Sequence, residues 1–548
     1  MSNTAFTRQL GSEVGVQLNP TQDRSERFAT DATREQSFAA MCRLKRGQIG
    51  QPILVHKGNM DKVIGTPEPI RLNPLNIAQR NLREALSKGA KAAVVWRLVG
   101  AGARIKWIVA KNEYDEDGTN EIRYSVQDDA PTDAEDFVFA IKHLGCFNDG
   151  IRVGLSAPAV SDIGGAGLPA TVVTINLYDN RKNLLHTITG SLDLHSEDED
   201  GLPNHIAAFA ENYLPDDVEL LLTTSSQILP QNNAYGKNKL GQQKEALSEV
   251  LFAFDEGGTG YTMAQYDEAV FGLTNSTYRY TYVSSLMSES VALVYKLNQL
   301  VYDTNTTGAI DVPPTFTPEQ AAIWVNQLNL DQKLLTAIWH PVKALDETGI
   351  NGMGYYGAGH LRIAYACARN AMVNGYGLPR KHQPIAGRDY GVSRPRMKQT
   401  YMPKQEELSL LADAGITPCV YESYIGGGRY AFLDVCTLSK KRNSHFNLSS
   451  AVEIITSIEN MAAEIAKSFV VLKGMDEGIK GGTQQVELML KACYGSKWLL
   501  PVEELGGAPY QVQIVKSEMR PTDTLLVYII CRPEGVARQV HITVTVTL

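Results

Sequence analysis

The C-terminal part of the chain carries two hydrophobic patterns with different periods. Residues 525–530 are apolar without interruption, which is typical of a strand buried on both faces. After a break at 532–535, which reads Arg-Pro-Glu-Gly, threonines alternate with aliphatic residues, as in a strand with one apolar face. This alternation predicts a second strand over 540–548, whose apolar face is formed by Val540, Ile542, Val544, Val546 and Leu548.

The alternating strand needs a sheet to join, because β-branched side chains on one face favour a half-buried pleated surface. Two arrangements fit the pattern: the strand pairs inside its own domain, or it adds to the sheet of another subunit by strand exchange. The polar N-terminal stretch contains a shorter alternation at Val14, Val16 and Leu18. We therefore predict an extended arm at each end of the chain, over 1–34 and 536–548.

The residues after the N-terminal arm have the periodicities of an α/β layer. Segment 52–56 is predicted to be a strand, 76–87 a helix that ends at Gly89, and 92–98 a second strand. A strand, a helix and a strand in this order begin an α/β domain but do not complete one.

The C-terminal part of the chain has the same character. A helix is predicted over 403–414 and a strand over 416–424. Ser450 and Glu453 have the spacing of a capping box, and an apolar stripe follows at helical spacing, formed by Ile454, Ile458, Met461, Ile465 and Phe469. Since neither part alone offers a complete set of elements, we predict that 35–100 and 316–535 build one discontinuous α/β domain.

The middle of the chain, 101–315, is rich in predicted strands and acidic turns. Pro313 and Pro314 mark its end, and Thr317 with Gln320 has the spacing of a capping box that opens a helix. We interpret this interval as one or more inserted β-rich domains that protrude from the α/β domain. The predicted fold class is a multidomain α/β (α+β) protein with β-rich insertions and extended terminal arms.

Composition narrows the classes of function. The 548 residues allow roughly three or four domains. A net charge of −8 argues against a dedicated nucleic-acid binder, because phosphate contacts need a basic face. Without a long apolar span or a leader pattern, neither membrane insertion nor secretion by a signal peptide is expected. The seven scattered cysteines are expected to be reduced and buried, although their odd number allows a cross-link between subunits.

Motifs of common catalytic and cofactor sites are absent from the sequence. It contains no GxxxxGK[ST] phosphate loop, no GxSxG nucleophile elbow and no HExxH zinc helix. Four scattered histidines form no recognisable relay motif with Asp and Ser in the sequence; they are His340, His360, His382 and His445. We therefore expect no catalytic residue, no cofactor, no metal site and no enzymatic activity.

One basic stretch departs from the acidic background of the chain. It runs from 380 to 404 and is interrupted by Gly, Pro and Tyr. It is either a solvated loop or a contact for an acidic protein partner. The candidate contact residues are Arg380, Lys381, Arg388, Arg394, Arg396 and Lys398.

The order of these pieces resembles the contractile tail sheath family of myophages and related injection systems. Near the N-terminus the resemblance is carried by RGQIGQPILVHKGNMDKVIG and NIAQRNLREALSKGAKAAVVWRLVG. In the C-terminal part it is carried by AYACARNAMVNGYGLPRKHQPIAG, LADAGITPCVY, GGGRYAFLDVCTLSK and AVEIITSIENMAAEIAKSFVV. The family's VWGART core motif is replaced in this sequence by the residues around Arg429 to Phe432 and Thr437. The resemblance therefore rests on the shared order of the motifs along the chain and not on any single motif.

The resemblance implies a structural polymer of hexameric rings, stacked helically around a tail tube, that contracts to drive the tube through a bacterial envelope for genome delivery. The implied partners are further copies of the chain, the tail tube protein, and baseplate and tail terminator proteins, with no nucleic acid. The implied location is the phage tail of the virion, assembled in the host cytoplasm. In that family the arms of neighbouring subunits complete a sheet in each C-terminal domain, which favours strand exchange for 540–548.

Two alternatives stay open from the sequence. One is the sheath of a phage-derived bacteriocin or other injection particle, which belongs to the same structural class. The other is an α/β enzyme, for example a hydrolase, with an unrecognised site.

Overall fold

The computed structural model describes residues 34–548 except 115–119, 133–135, 157–171, 194, 198–199, 204, 207–213, 224–244, 347–351, 442, 469–473, 542 and 544–548. Several residues of the sequence predictions lie outside the described residues; they are Val14, Val16, Leu18, Phe469, Ile542, Val544, Val546 and Leu548.

The described residues form 25 strands. They are β1 (Ser37–Cys42), β2 (Pro52–His56), β3 (Ala92–Arg97), β4 (Arg104–Ile105), β5 (Trp107–Tyr114), β6 (Asn120–Gln127), β7 (Phe139–His143), β8 (Ile151–Ser156), β9 (Val172–Asp179), β10 (Leu184–Ser191), β11 (Val218–Leu222), β12 (Ala246–Leu247), β13 (Phe254–Asp255), β14 (Tyr282–Ser284), β15 (Thr307–Val312), β16 (Leu335–Trp339), β17 (Val342–Leu345), β18 (Met353–Tyr355), β19 (Gly391–Val392), β20 (Lys398–Gln399), β21 (Ile416–Tyr424), β22 (Gly427–Phe432), β23 (Leu499–Leu500), β24 (Tyr510–Lys516) and β25 (Leu525–Pro533).

The same part of the chain contains nine α-helices. They are α1 (Met60–Val63), α2 (Asn76–Lys88), α3 (Met263–Thr274), α4 (Val291–Asp303), α5 (Pro318–Gln327), α6 (Gly359–Asn370), α7 (Gln405–Asp413), α8 (Ser449–Lys467) and α9 (Met475–Gly495). Of the helices that the structure describes, none has both the length and the apolar composition that crossing a bilayer requires.

A nine-stranded mixed sheet forms the centre of the main α/β domain, which is called the body below. Its strand order is β19-β22-β21-β16-β15-β14-β1-β3-β2. The strands from β21 to β3 run parallel to one another, whereas β2, β22 and β19 at the edges are antiparallel to their neighbours. Every residue of β1, β3, β15 and β16 is buried, as expected of parallel strands covered by helices on both faces. The sheet joins strands that are far apart in the sequence, from 37–97 and from 282–432.

Successive side chains of each central strand enter two different cores. In β1, Ala39 and Met41 join the core under α3, α4, α5 and α7. Phe38 and Ala40 join the core on the other face, under α2 and α6. This alternation follows from the two-residue period of a strand and produces a body of three layers, helix on sheet on helix.

Local sequence signals explain several helix ends. The predicted capping box of Thr317 and Gln320 opens α5. Helix α2 ends at Gly89 as predicted, with φ 139°. A side chain at position 89 would lie 2.6 Å from Cβ of Ala368, so glycine also allows α2 to approach α6 closely.

The chain between β3 and α3 forms a β-rich insertion. Its two antiparallel sheets have the orders β11-β7-β5-β6 and β10-β9-β8-β12 and share one apolar core that includes Ile141, Leu155 and Ile175. At its base β4 pairs with β13, and the Gly100 amide donates to the Glu256 carbonyl at 2.8 Å. The chain therefore leaves and rejoins the body at one place.

Three arginines of the body fix this insertion in place. Arg43 donates two hydrogen bonds to the Glu256 carboxylate, at 3.0 and 2.9 Å. Arg46 donates two to Asp149, at 3.0 and 2.6 Å. Arg97 donates to the Cys146 carbonyl at 2.6 Å. These bonds are charge-assisted and therefore stronger than those between neutral groups.

The chain returns to the main sheet earlier than the interval 101–315 indicates. Strands β14 and β15 fall inside that interval, yet both hydrogen-bond within the nine-stranded sheet. Pro313 and Pro314 directly follow β15 and thus end a strand of the body rather than the insertion. The sequence pattern does not predict that the chain re-enters the main sheet at β14, because this strand has only three residues. Three residues are too few to show a hydrophobic period.

Helices α8 and α9 and a three-stranded sheet, β23-β25-β24, form a smaller unit on the C-terminal side. Ile454 and Ile458 of the predicted stripe are buried in its core, and Met461 and Ile465 pack against that core. The predicted capping box at Ser450 and Glu453 is wrong, because α8 already begins at Ser449 and Ser450 therefore lies inside the helix. Glu453 is instead buried and forms ion pairs with arginines of α6.

The prediction that 525–530 is buried on both faces is also wrong. In β25 the side chains of Leu526, Val527, Tyr528 and Ile530 are exposed. An unbroken apolar run has no period, so it indicates a strand without showing whether its faces are covered.

Candidate subunit interface

The sheet β23-β25-β24 has an open edge. β25 pairs with β24 from Leu525 to Cys531, whereas β23 pairs with it only at Arg532 and Pro533. Among the described residues, the backbone of 525–531 therefore has no strand on its second side. A strand edge of this length is a template for pairing with another chain.

The two faces of β25 differ in their surroundings. Ile529 and Cys531 pack inward against the core of α8 and α9. On the outward face Leu526, Tyr528 and Ile530 are 36%, 52% and 48% exposed. An apolar face beside an open edge suits an added strand, because such a strand gains main-chain hydrogen bonds at the edge and apolar contacts along the face.

The segment that leads into the C-terminal arm is fixed to its own subunit at Arg538. Its guanidinium donates to both oxygens of the Asp434 carboxylate, at 2.8 and 2.6 Å, and these hydrogen bonds raise the pKa of Arg538 above its ordinary value. Segment 536–539 lines a groove of about 950 Å³ formed with the end of α5 and with α7. Beyond this anchor the side chain of Val540 is 75% exposed.

The first two described residues, Arg34 and Glu35, are held by ion pairs. The Glu35 carboxylate accepts hydrogen bonds from Lys381 Nζ at 2.7 Å and from Asn370 Nδ2 at 3.2 Å. Lys381 also donates to Ser457 Oγ of α8 at 2.5 Å, and Arg34 pairs with Glu464 of α8 at 3.0 Å. Residues 34 and 35 therefore lie beside α8, in the unit that carries the open edge.

The six candidate contact residues of the basic stretch do not form one surface. Lys381 is buried with Glu35. Arg394 donates two hydrogen bonds to Glu84, at 2.8 and 2.9 Å, and its side chain is 5% exposed. Both charges are thus paired inside the subunit. The four exposed candidates are Arg380, Arg388, Arg396 and Lys398.

Two of the scattered histidines belong to the same buried cluster as Arg394. His360 Nε2 lies 2.7 Å from Glu84 Oε2, and His340 Nε2 lies 3.2 Å from Arg394 Nη1. Burial lowers the pKa of His340 to about 3, so its ring is neutral at neutral pH. The cluster ties α2 to α6 and to the basic stretch, which is a structural role.

Sequence patterns did not single out Glu35, Asp434 or Arg538. Each is an ordinary charged residue with no local motif, and its partner lies far away in the chain: the bond from Arg538 to Asp434 spans 104 residues. The only sequence feature near this anchor is the break from Arg532 to Gly535. It indicates where the C-terminal arm begins but does not identify the residue that anchors it.

The chain shares its fold with two solved sheath tail proteins. The protein from Listeria innocua superposes with a TM-score of 0.55 at 11% identity, over 92% of this chain and 97% of its own. The protein from Desulfitobacterium hafniense gives a TM-score of 0.51 at 10% identity, over 94% of this chain and 100% of its own. Neither a protein-family model nor a curated protein matches the sequence.

Proposed function

We propose that this chain is a non-enzymatic subunit of a contractile tail sheath. The observation that carries the proposal is the open edge of β25, which lies in the same unit as the N-terminal anchor. Support comes from the fold, which the two sheath tail proteins share over more than nine-tenths of this chain. The predicted period-two strand at 540–548 supplies a segment suited to such an edge.

In the proposed polymer, hexameric rings stack helically around a tail tube, and arms from neighbouring subunits add strands beside β25. Main-chain hydrogen bonds then link the subunits, while the roots of the arms stay fixed at Glu35 and Arg538. Subunits linked in this way slide and rotate during contraction without separating, because the residues between an anchor and an exchanged strand absorb the change in angle.

The proposed partners outside the sheath are the tail tube, the baseplate and a tail terminator, in a phage tail that delivers a genome through a bacterial envelope. We propose that the exposed basic residues Arg380, Arg388, Arg396 and Lys398 contact the tail tube or a neighbouring sheath subunit. Solvent-exposed ion pairs suit a contact that must be released when the sheath contracts, because each stabilises the contact by about 1 kcal/mol or less.

The test is deletion of 540–548, followed by electron microscopy and size-exclusion chromatography. We expect the full-length protein to form tubes or rings and the truncated protein to stay soluble without assembling. A control with Thr543, Thr545 and Thr547 replaced by serine keeps the apolar face and should assemble. Normal tubes from the truncated protein would contradict the arm mechanism, and a small monodisperse particle from the full-length protein would favour an enzyme.

A further inference from the structure

A cluster of metal-binding side chains lies in the inserted domain, away from the arms. His143 ends β7, His186 lies in β10, and Asp217 directly precedes β11. Because β7 and β11 pair with Val218 opposite His143, Asp217 lies beside His143 at the end of one sheet. His186 comes from the other sheet, so the cluster bridges the two sheets of the domain.

The side chains converge closely. His186 Nε2 lies 3.0 Å from Asp217 Oδ1, and His143 Nε2 lies 3.8 Å from Asp217 Oδ2. One ligand atom from each residue falls within 4.8 Å of the others. Both Nε2 atoms are buried, and that of His143 has no hydrogen-bond partner among the described residues. Buried polar atoms without a partner are rare in native proteins and need a physical reason.

We propose that His143, His186 and Asp217 bind a divalent transition-metal ion. Two imidazole nitrogens and one carboxylate oxygen are a ligand set of Zn²⁺ and similar ions, and three protein ligands leave a fourth position for water. Mg²⁺ and Ca²⁺ prefer oxygen ligands throughout. Such an ion would connect the two sheets of the insertion where their core ends.

The geometry favours the ion. Each oxygen of the Asp217 carboxylate faces one imidazole Nε2, Oδ1 that of His186 and Oδ2 that of His143. Its negative charge would offset part of the charge of an ion held between the three side chains.

One contact must change when the ion binds. The Gly145 amide donates to Nδ1 of His143 at 2.9 Å, which places the ring proton on Nε2. A metal at Nε2 moves this proton to Nδ1, so the peptide between Leu144 and Gly145 has to rotate away. Glycine is needed at 145, because a Cβ there would lie 2.5 Å from the His143 ring. We therefore expect weaker binding than at a preformed site.

The experiment is a calorimetric titration of metal-stripped, full-length protein with ZnCl₂, paired with thermal denaturation. We expect one zinc ion per chain at this site and a higher melting temperature, with no effect of MgCl₂. The variants His186→Asn and Asp217→Asn should weaken binding at least about tenfold, since each removes one of three ligands. His195→Asn is the matched control, because His195 is an exposed histidine of the same domain.

X-ray absorption at the zinc edge identifies the ligands. We expect nitrogen and oxygen neighbours at about 2.0–2.1 Å, two of them imidazoles. Sulfur in the first shell would place the ion on cysteines and overturn the proposal. Zinc affinity unchanged in both His186→Asn and Asp217→Asn, or no zinc binding by the wild type, would overturn it too. Sheath assembly plays no part in this test, so its outcome is independent of the proposed function.

Discussion

Buried ionic residues hold the joint between the α/β body and the C-terminal unit. The Glu453 carboxylate of α8 pairs with Arg369 and lies 3.9 Å from Arg362, both on α6, and all three side chains are at most 6% exposed. Its partners lie more than 80 residues away, so local spacing suggested a helix cap instead. A capping box needs only residues three apart, whereas an ion pair between two helices depends on packing that no local pattern encodes.

Replacing Glu453 by Gln should destabilise the protein by about 3–5 kcal/mol, because it leaves buried arginines without their counter-charge. The matched control is Glu459→Gln on the same helix, where the side chain is 44% exposed; there we expect a change within about 0.5 kcal/mol. Urea denaturation of both variants measures the difference. Equal stabilities for the two variants would contradict the structural role of Glu453.

The same prediction has a pH dependence with a definite sign. Burial alone would raise the pKa of Glu453, but Arg369 and Arg362 lower it below its ordinary value. The stabilisation by ionised Glu453 is therefore complete above the unfolded pKa of about 4.3 and is lost as the pH falls below it towards the folded pKa. The stability difference between wild type and Glu453→Gln should narrow in that acidic range.

Single elements with a clear period or a cap were predictable from the sequence. Strand β2, helix α2 with its end at Gly89, and the start of α5 at Thr317 lie where the sequence indicates. β25 was predicted as a strand but with the wrong environment, because 525–530 has no polar residue to mark an exposed face. The exposure of that face is the property on which the candidate interface depends.

Charges on the exposed face of β25 should block assembly without unfolding the subunit. In the double variant Tyr528→Glu/Ile530→Glu, both side chains point into solvent in the isolated subunit, so we expect a near-normal melting temperature and no tubes. The control Phe271→Glu/Tyr302→Glu changes two residues that are 72% and 73% exposed on α3 and α4. Electron microscopy compares the two; tubes from the β25 variant would exclude this face from the interface.

The whole molecule depends on pairings over long sequence separations. The main sheet places β1 beside β14, pairing Phe38 with Tyr282, and a β-rich domain intervenes between them. Periodicity predicts the elements but not the order in which parallel strands pair, since each central strand is buried on both faces and fits many neighbours. The cluster of His143, His186 and Asp217 escaped prediction for the same reason: its three residues lie on three separate strands or turns.

The charge distribution of the molecule allows a test of the proposed tube or sheath contact. Reversing the exposed cations Arg388, Arg396 and Lys398 to Glu should weaken tube-templated assembly most at low salt, where charge attraction is least screened. The charge-matched control reverses Arg104, Arg123 and Lys182 of the inserted domain. Assembly that is unchanged at low salt would remove the basic stretch from the mechanism.

The closure of the insertion at its base has a consequence for how such molecules diversify. The Gly100 amide and the Glu256 carbonyl are 2.8 Å apart, and a side chain at Gly100 would lie 2.1 Å from the Gly257 carbonyl oxygen. The body therefore requires that the two ends of whatever lies between these residues meet and that acceptors near them face its three arginines. Parts of the insertion that lie away from these contacts are free to differ in length, sequence and fold, so this position can accept different modules while the body keeps its own structure.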